Sequence, residues 1–371
     1  MTHQTYRAPG RVNLIGEHTD YNLGFVMPVA LDLATYVTAS PGADFKLRIF
    51  SEQQNDRHAW SISAIRDLKP ERRWTDYPIG VAQQLILAGF EIEPVNLWIR
   101  STVPEGSGLS SSAALEVSTA LALLRGRQIP PLDLARLCQR AEREFVGMPC
   151  GIMDQYISVF GREGQAVEID CRSLDHRYVP LPKTIALIAV NTMVKHELAG
   201  SAYKDRVAEC AAAAKGLGVS SLREVSVPQF EASAAVLPDV VRRRARHIIT
   251  ENDRVNRFVE ASESGNLELM GRLLVESHRS LQYDYEVSCE ELDFLVESAL
   301  QIPGVFGARM TGGGFGGCTV NMMRLDAVGR FRDQIAASYQ GKFGVLVQQY
   351  PCRPSDGAGE VKNFENISTL K

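Results

Sequence analysis

The chain of 371 residues is predicted to form two domains, each of which mixes strands with helices. One hydrophobic core rarely organises so many residues, so two domains are the expectation. Strand patterns prevail near the start, helical patterns fill residues 200–301, and short strand patterns return at 304–350. Pro180 and Pro182 interrupt regular structure, so the predicted domains are 1–181 and 182–371, and the last residues could return to the first domain.

The predicted elements follow in an order that fits this division. Alternating residues rich in Val, Thr and Ile indicate strands, whereas Ala- and Leu-rich stretches with a period of about 3.6 residues indicate helices. Strands are predicted at 24–40, 45–50, 94–103, 166–170 and 184–191. Helices are predicted at 110–124, 131–146, 202–215, 238–262, 266–278 and 289–301.

Composition narrows the class of protein. A net charge of −4 leaves no basic excess for binding nucleic acid. No apolar run approaches the roughly 18 residues of a membrane span, and the first residues show no secretory signal. The seven cysteines are scattered and form no metal-binding spacing, which suits a reduced compartment. We therefore expect a cytoplasmic protein without nucleic-acid or membrane partners.

A loop rich in glycine and serine precedes the helix predicted at 110–124. Gly106 and Gly108 would let the backbone approach an anion, and Ser110, Ser111 and Ser112 offer hydroxyl groups. The helix N-terminus adds a partial positive charge, so the loop can cradle phosphate. It is not a Walker A loop, because the Lys of that motif is absent. Taken alone, the loop is better explained as a serine-capped helix after a glycine turn.

A polar segment lies near the start of the chain. Arg11, Glu17, His18 and Asp20 stand among small and apolar residues. Each hydroxyl of a hexose both donates and accepts hydrogen bonds, so carboxylates and an imidazole suit a sugar site. A metal site would need a second ligand cluster at a recognisable spacing, which is missing. The alternative without function is a charged surface turn that contains an Arg–Asp pair.

Two carboxylates and a glycine strip complete the candidate groups. Asp154 stands among apolar residues, where a carboxylate is positioned for chemistry or is paired or capping. Glu142 lies on the helix predicted at 131–146, where a solvated position is the simpler interpretation. Gly312–Gly317 form a turn almost without side chains. Sugar-binding groups, a phosphate cradle and a second glycine turn together predict a small-molecule kinase.

Four stretches resemble the GHMP family of small-molecule kinases, and two of these resemble its galactokinase branch. PGRVNLIGEHTDYN at 9–22 is the most specific, and GMPCGIMDQ at 147–155 is of the same type. GLSSSAALE at 108–116 and TGGGFGGC at 311–318 resemble motifs that are shared across the family. The last of these begins Thr-Gly-Gly where many members have Ser-Gly-Ala, which changes side-chain volume little.

The resemblance implies a fold and an activity. The fold would be a two-domain α+β GHMP kinase fold. Its N-terminal domain would be like domain 2 of ribosomal protein S5, its C-terminal domain would be ferredoxin-like, and the active site would lie in the cleft between them. The activity would be Mg²⁺-dependent transfer of a phosphoryl group from ATP to the anomeric hydroxyl of α-D-galactose, as in the Leloir pathway. A monomer with galactose and ATP as partners is expected.

The resemblance also implies roles for individual residues. Arg11 and Asp154 would flank the reacting hydroxyl, with Asp154 as either a general base or an orienting group. Ser111 and Glu142 would hold Mg²⁺. The implied galactose site comprises Glu17, His18, Asp20, which would read the axial 4-hydroxyl, Gly151, Asp154 and Tyr203. The implied ATP site comprises Trp74, beside the adenine, with Gly106, Ser107, Gly108, Leu109, Ser110, Ser111, Ser112 and Ala113.

Other functions stay open at this point. An N-acetylgalactosamine kinase of the same family would need room for a 2-acetamido group. A non-catalytic sensor of galactose and ATP would have a shortened Ser/Ala stretch in the motif that corresponds to 108–116. Here the Ser/Ala stretch at residues 110–114 is intact. A pure binding module does not explain two glycine-rich anion sites.

Overall fold

The computed structural model describes residues 3–195 and 199–362. Its strands are β1 (Gln4–Asn13), β2 (Phe25–Val26), β3 (Pro28–Pro41), β4 (Lys46–Ser51), β5 (Asp56–Ser61), β6 (Val95–Ser101), β7 (Gln165–Asp170), β8 (His176–Pro180), β9 (Ile185–Lys195), β10 (Val305–Thr311), β11 (Gly316–Arg324), β12 (Gln348–Pro351) and β13 (Gly359–Glu360). Its helices are α1 (Asp76–Leu87), α2 (Ser111–Leu124), α3 (Pro131–Arg140), α4 (Met153–Phe160), α5 (Ala199–Gly216), α6 (Val227–Ser233), α7 (Asp239–Glu263), α8 (Leu267–Ser280), α9 (Glu290–Leu300) and α10 (Val328–Phe343).

The first half is built on a six-stranded sheet in the order β13-β1-β3-β6-β4-β5. Alternation in β4 turns Leu47 and Ile49 into the core, as the period of a strand requires. Helix α2 lies against β1 and β3, and its buried Val117 and Leu123 join the same cluster. A smaller sheet, β2-β7-β8, adjoins this half. The N-terminus of α2 is thereby fixed beside the end of β1.

The second half contains a four-stranded antiparallel sheet in the order β10-β11-β9-β12. Helices α8 and α9 pack on β10, and α10 packs on α9. Helices separate β9 from β10 along the chain, and α10 separates β11 from β12, which gives the β-α-β-β-α-β arrangement of ferredoxin-like folds. A π-helical turn, Leu281–Tyr285, extends α8 toward the first half.

The two halves share a hydrophobic core. One cluster joins Val12 and Val29 of the first sheet to Phe258 of α7 and Val320 of β11. The chain also returns: β13 pairs with β1 in an antiparallel register that sets Glu360 opposite Tyr6. The seam between the halves is therefore packed, and the division of the chain after residue 181 stays a prediction.

Most of the predicted elements are confirmed, including the helices at 110–124 and 238–262. The short strands expected around the 312–317 glycine turn are present as β10 and β11, whereas residues 328–343, later in the same 304–350 region, form the helix α10. Phe331, Ile335 and Tyr339, spaced four residues apart, are the buried face of that helix, and this was the available signal. The helix predicted at 131–146 is real but ends in a π-helical turn, Ala141–Val146.

Candidate functional site

A cavity of about 400 Å³ lies where the end of β1, the N-terminus of α2, the first turn of α4 and the end of β10 meet. It brings together the polar segment, the Gly/Ser loop and the glycine turn, which are far apart in sequence. The residues that line it are Arg11, Glu17, His18, Asp20, Tyr77, Gly106, Gly108, Ser110, Ser111, Ser112, Glu142, Met148, Cys150, Gly151, Met153, Asp154, Tyr203, Gly312 and Gly313.

An ion pair between Arg11 and Asp154 lines this cavity. Nε and Nη2 of Arg11 each donate to one carboxylate oxygen of Asp154, both at 2.8 Å. Arg11 also donates to the carbonyl of Gly108, and Ser110 donates its hydroxyl to Oδ2 of Asp154. Such a two-pronged pair fixes orientation as well as charge. Burial lowers the pKa of Arg11, but the charges of Asp154 and Glu17 outweigh this and the net pKa is raised.

Glu17 connects the polar segment near the start of the chain to the glycine turn at 312–317. It is 2% exposed, and its carboxylate accepts hydrogen bonds from Asn13, from the Thr311 hydroxyl at 3.1 Å and from the Gly312 N–H at 2.7 Å. Nη2 of the fully buried Arg309 lies 3.4 Å from the same carboxylate. Glu17 therefore also holds the glycine turn against the polar segment.

The backbone of the polar segment is held from the second half. Glu251 on α7 accepts the Gly16 N–H at 2.9 Å and the Ser277 hydroxyl at 2.6 Å, and it pairs with Arg254. Charges of Arg254 and other groups overcome the effect of burial, so the pKa of Glu251 is lowered to about 2. This buried carboxylate fixes the loop that carries Glu17 and His18.

Asp20 and Gly151 pack directly on each other. A Cβ atom added to Gly151 would lie 1.9 Å from Oδ2 of Asp20, so only glycine leaves space for this carboxylate. Burial and the charge of Asp154 raise the pKa of Asp20 to about 7, although Arg11 opposes this. Asp20 consequently changes charge near neutral pH.

Glu142 lies in the π-helical turn after α3 and is 8% exposed. Its carboxylate accepts the amide of Gln155 at 2.6 Å and is also bonded by the Ser112 hydroxyl. Burial and the charge of Asp154 raise its pKa to about 7. The interpretation of Glu142 as a solvated helix position is therefore wrong, and so is that of the polar segment as a surface turn, because Arg11, Glu17 and His18 are buried.

The Gly/Ser loop presents its backbone and hydroxyls at the other end of the cavity. Ser110 has a left-handed conformation (φ 60°), and α2 starts at Ser111, so the helix N-terminus faces the cavity. A smaller cavity of about 150 Å³ adjoins it and shares Tyr77, Ser111 and Ser112. Trp74 lines this second cavity rather than the first. Partial positive charge at a helix N-terminus suits phosphate.

Three residues of the predicted nucleotide site do not reach the cavity with their side chains. Leu109 and Ala113 are fully buried and apolar, and Ser107 donates its hydroxyl to the carbonyl of Pro104. They shape the loop from behind. The carbonyl of Leu109, for example, accepts the N–H of Arg11 at 3.0 Å.

The glycine turn after β10 lies against the Gly/Ser loop. Gly312 has φ +88°, and a Cβ added there would lie 3.2 Å from the carbonyl oxygen of Gly108. A side chain at this position would push apart two backbones that both border the cavity. Sequence reasoning found this turn but missed Tyr77, Met148, Cys150 and Met153, which also line the cavity. Tyr77 follows Trp74 closely, and this aromatic pair was the available signal.

A larger cavity, of about 790 Å³, lies elsewhere, between Pro180–Lys183 and the 349–354 segment. It contains none of the motif residues, so volume alone does not locate the chemistry.

In the described part of the chain, no group of three or more His, Cys, Asp or Glu residues has the arrangement of a metal site. Nor does any helix of residues 3–195 and 199–362 have the length and apolarity needed to cross a membrane.

Comparison with known proteins shows the family to which the chain belongs. The chain matches the family models for the GHMP kinases N terminal domain at 76–162, the GHMP kinases C terminal at 258–341 and the galactokinase galactose-binding signature at 2–41. It is 46% identical to a galactokinase of Roseiflexus sp. (strain RS-1), and the alignment covers 97% of this chain and 93% of that protein. It is 44% identical to a galactokinase of Chloroflexus aggregans, with 95% and 92% covered.

The fold comparison is equally close. The structure of Lactococcus lactis galactokinase complexed with galactose superposes with a TM-score of 0.93 at 35% identity, over 97% of this chain and 95% of that one. The predicted two-domain α+β GHMP kinase fold is thereby confirmed. Identity of this level along nearly the whole length shows that the chain belongs to the galactokinases of the GHMP kinase family.

Proposed function

We propose that the protein transfers the γ-phosphoryl group of ATP to the anomeric hydroxyl of α-D-galactose, giving α-D-galactose 1-phosphate and ADP. The Arg11–Asp154 pair carries this proposal. It stands between a sugar-type set of carboxylates and imidazole on one side and the N-terminus of α2 on the other. Phosphoryl transfer requires mainly positioning and charge stabilisation, and this arrangement supplies both.

The sugar would bind at the end of the cavity formed by the polar segment. Glu17, His18 and Asp20 line that end, and Tyr203 borders it. In the described structure Nε2 of His18 is buried and has no hydrogen bond of normal geometry, although the backbone of Gly313 lies near the ring. A sugar hydroxyl would compete with this backbone group for Nε2. The axial 4-hydroxyl would bond to Asp20, whose place is fixed by contact with Gly151.

ATP would occupy the other end. The triphosphate would lie over Gly106, Gly108 and the first turn of α2, where backbone N–H groups and serine hydroxyls face the cavity. The adenine would enter the adjoining cavity between Trp74 and Tyr77. Membership of this kinase family implies a nucleotide substrate; these positions are our proposal for it.

Asp154 would orient the anomeric hydroxyl. A carboxylate can accept about four hydrogen bonds. Asp154 already accepts three, two from Arg11 and one from Ser110. The remaining position can accept the sugar hydroxyl. The anomeric oxygen then bonds to the γ-phosphorus, the bond from that phosphorus to the β,γ-bridging oxygen breaks, and ADP leaves with the electron pair. The hydroxyl proton passes to Asp154 as the phosphoryl group arrives, and Arg11 stabilises the charge on that group.

Mg²⁺ would be held by Ser111 and Glu142. The pair fits the ion, because Mg²⁺ in such sites takes one or two carboxylates and completes its shell with substrate phosphates and water. The raised pKa of Glu142 shows a buried carboxylate that a cation would stabilise in its charged form. When bound, Mg²⁺ neutralises charge on the β- and γ-phosphates.

The activity is tested by ADP release from MgATP with galactose, N-acetylgalactosamine, glucose or no sugar. Galactose-dependent release, with little on the other sugars, is the expected result. Preference for N-acetylgalactosamine would replace the proposed substrate, and galactose binding without ADP release would indicate a sensor. We also propose a cytoplasmic monomer: the seven cysteines are free thiols, which suits a reducing compartment. Light scattering on the same preparation tests the oligomeric state.

Galactose binding is expected to strengthen as the pH rises through neutrality. Asp20 accepts hydroxyl protons only when ionised, and its pKa of about 7 is set by burial and by the charges of Asp154, Glu17 and Arg11 around it. The ionised fraction rises about tenfold between about pH 6 and about pH 8, so the KM for galactose should fall by a similar factor. Steady-state kinetics across this range measures it.

Asp20→Asn provides the matched variant, since it keeps the shape but cannot ionise. It should lose the pH dependence of the galactose KM and much of the preference for galactose over glucose. A pH profile that survives unchanged in this variant would assign the titration to another group, and unchanged sugar preference would remove Asp20 from that role.

A further inference from the structure

We propose that Tyr21 is a positioning residue for sugar recognition: its hydroxyl donates a hydrogen bond to Nδ1 of His18, so that Nε2–H of this ring faces the cavity as a donor. The inference rests on the proposed function, because it treats the cavity as the galactose site. Tyr21 itself does not line the cavity, and it would act through His18. The galactose hydroxyl that meets His18 would then be read through its oxygen.

A buried chain of hydrogen bonds carries the inference. Nδ1 of His18 lies 2.8 Å from the Tyr21 hydroxyl, which lies 2.7 Å from the Tyr285 hydroxyl. The Tyr285 hydroxyl lies 3.1 Å from Sγ of Cys210 on α5. These hydrogen bonds lead from His18 away from the cavity and into the second half of the molecule. Contact with solvent therefore does not determine where their protons lie.

One ring nitrogen of His18, Nε2, is not engaged by Tyr21, and it belongs to a residue that lines the cavity. In the described parts of the chain Nε2 is buried and has no hydrogen bond of normal geometry, although the residue lines the cavity. The backbone of Gly313, which lines the same cavity, favours a proton on this ring. The ring packs between Tyr203 and Tyr285, with ring centroids 5.5 and 4.8 Å away. Turning the ring over would break the bond to Tyr21 inside this packing.

The ring is neutral, so it carries one proton on one of its two nitrogens. Burial and the nearby His247 and Arg206 lower the pKa of His18 to about 3. An imidazole nitrogen is the most basic acceptor among these groups, whereas a thiol sulfur is only a weak acceptor, so a tyrosine hydroxyl gains more by donating toward His18 than toward Cys210. The favoured polarity therefore runs from Tyr285 through Tyr21 to His18, and the proton of His18 stays on Nε2.

Tyr285 is held independently of this chain. Nε of Arg206 donates to the carbonyl of Tyr285 at 2.6 Å, and Nη1 of Arg244 donates to the neighbouring carbonyl of Asp284 at 2.6 Å. These contacts fix the π-helical turn by its backbone. Removing a hydroxyl from the chain should consequently change hydrogen bonding without moving the turn.

The test is Tyr21→Phe, assayed by steady-state kinetics. Loss of the hydroxyl leaves Nδ1 unpaired and frees the tautomer, so the KM for galactose should rise about tenfold, the usual scale for leaving a buried polar group unsatisfied. The kcat and the KM for ATP should stay within about twofold, because chemistry and nucleotide binding do not pass through His18. An unchanged galactose KM would overturn the proposal, and a fall in kcat with a rise in both KM values would indicate a merely structural residue.

Two variants bracket this result. Tyr283 is 66% exposed and lies in the same π-helical turn as Tyr285. Tyr283→Phe should therefore leave kcat and both KM values unchanged. Tyr285→Phe keeps the Tyr21–His18 bond and should raise the galactose KM less than Tyr21→Phe does. The reverse order would contradict the direction of the chain.

NMR of protein with isotope-labelled histidine gives a readout that needs no turnover. With His18 assigned through His18→Gln, the native protein should show a protonated Nε2 and an unprotonated Nδ1, and Tyr21→Phe should mix the two tautomers. A proton on Nδ1 in the native protein would overturn the proposal even if the enzyme is active. Conversely, absence of galactose turnover would disprove the proposed function while the tautomer is still measured.

Discussion

Asp154→Asn should lower the turnover of galactose by at least about 100-fold, the lower end for loss of a group that accepts or orients a proton in transfer. The change removes the negative charge that holds Arg11 by two 2.8 Å hydrogen bonds while preserving the size of the side chain. The KM for ATP should change much less, because the nucleotide end of the cavity is built from other residues. Single-turnover measurement of ADP formation separates the chemical step from product release.

Asp133→Asn is the matched control. Asp133 is an exposed residue of α3 and makes a weak pair with Arg136 at 3.9 Å, so the same chemical change there should leave turnover unaltered. Thermal unfolding of both variants checks that the fold is intact. Near-normal turnover of Asp154→Asn with a native fold would remove Asp154 from the reaction.

Glu251→Ala should lower the free energy of unfolding by about 3–5 kcal/mol, since removing one partner of a buried ion pair leaves the other charge uncompensated. Arg254 would lose its partner, and the Gly16 N–H and the Ser277 hydroxyl would lose their acceptor. Urea denaturation followed by circular dichroism measures the loss. The galactose KM should rise as well, because the polar segment would lose its support from α7.

The pH dependence of this stabilisation has a defined sign. The pKa of Glu251 falls from an ordinary 4.5 to about 2 on folding, so its contribution is complete above the ordinary value and is lost as the pH falls toward the folded value. The difference between native protein and variant should therefore shrink over that range. Glu260→Ala, an exposed change on the same helix, should cost little at any pH. A loss below about 1 kcal/mol for Glu251→Ala would show that the network is not needed.

Local patterns predicted the elements that form the site but not the contacts between them. Glycine and serine at 106–112 predicted both the loop and the start of α2, because both features depend on local sequence. Arg11 and Asp154 are 143 residues apart, and no spacing rule joins them; the resemblance to a family did so. Their pairing depends on β1 and α4 both packing against α2, which is a property of the whole fold.

The residues that sequence reasoning missed are those whose role is set by burial. Arg309 lies in β10 with no local sign that a fully buried cation there would approach Glu17. The arginine-rich run at 242–246 is typical of a solvated helix face, yet Arg244 is 3% exposed and pairs with Glu209 and Glu286. A charged residue is buried where distant carboxylates and carbonyls meet it, and the sequence alone does not show those partners.

The pairing of β13 with β1 has a consequence for how the protein is made. The N-terminal sheet receives its edge strand from residues that emerge from the ribosome hundreds of positions later, and Arg7 meets the carbonyl of Asp356 only at that stage. Until then one side of β1 presents unpaired N–H and C=O groups, the kind of edge that invites pairing with another nascent chain. The first part of the molecule to be synthesised is thus among the last to be finished.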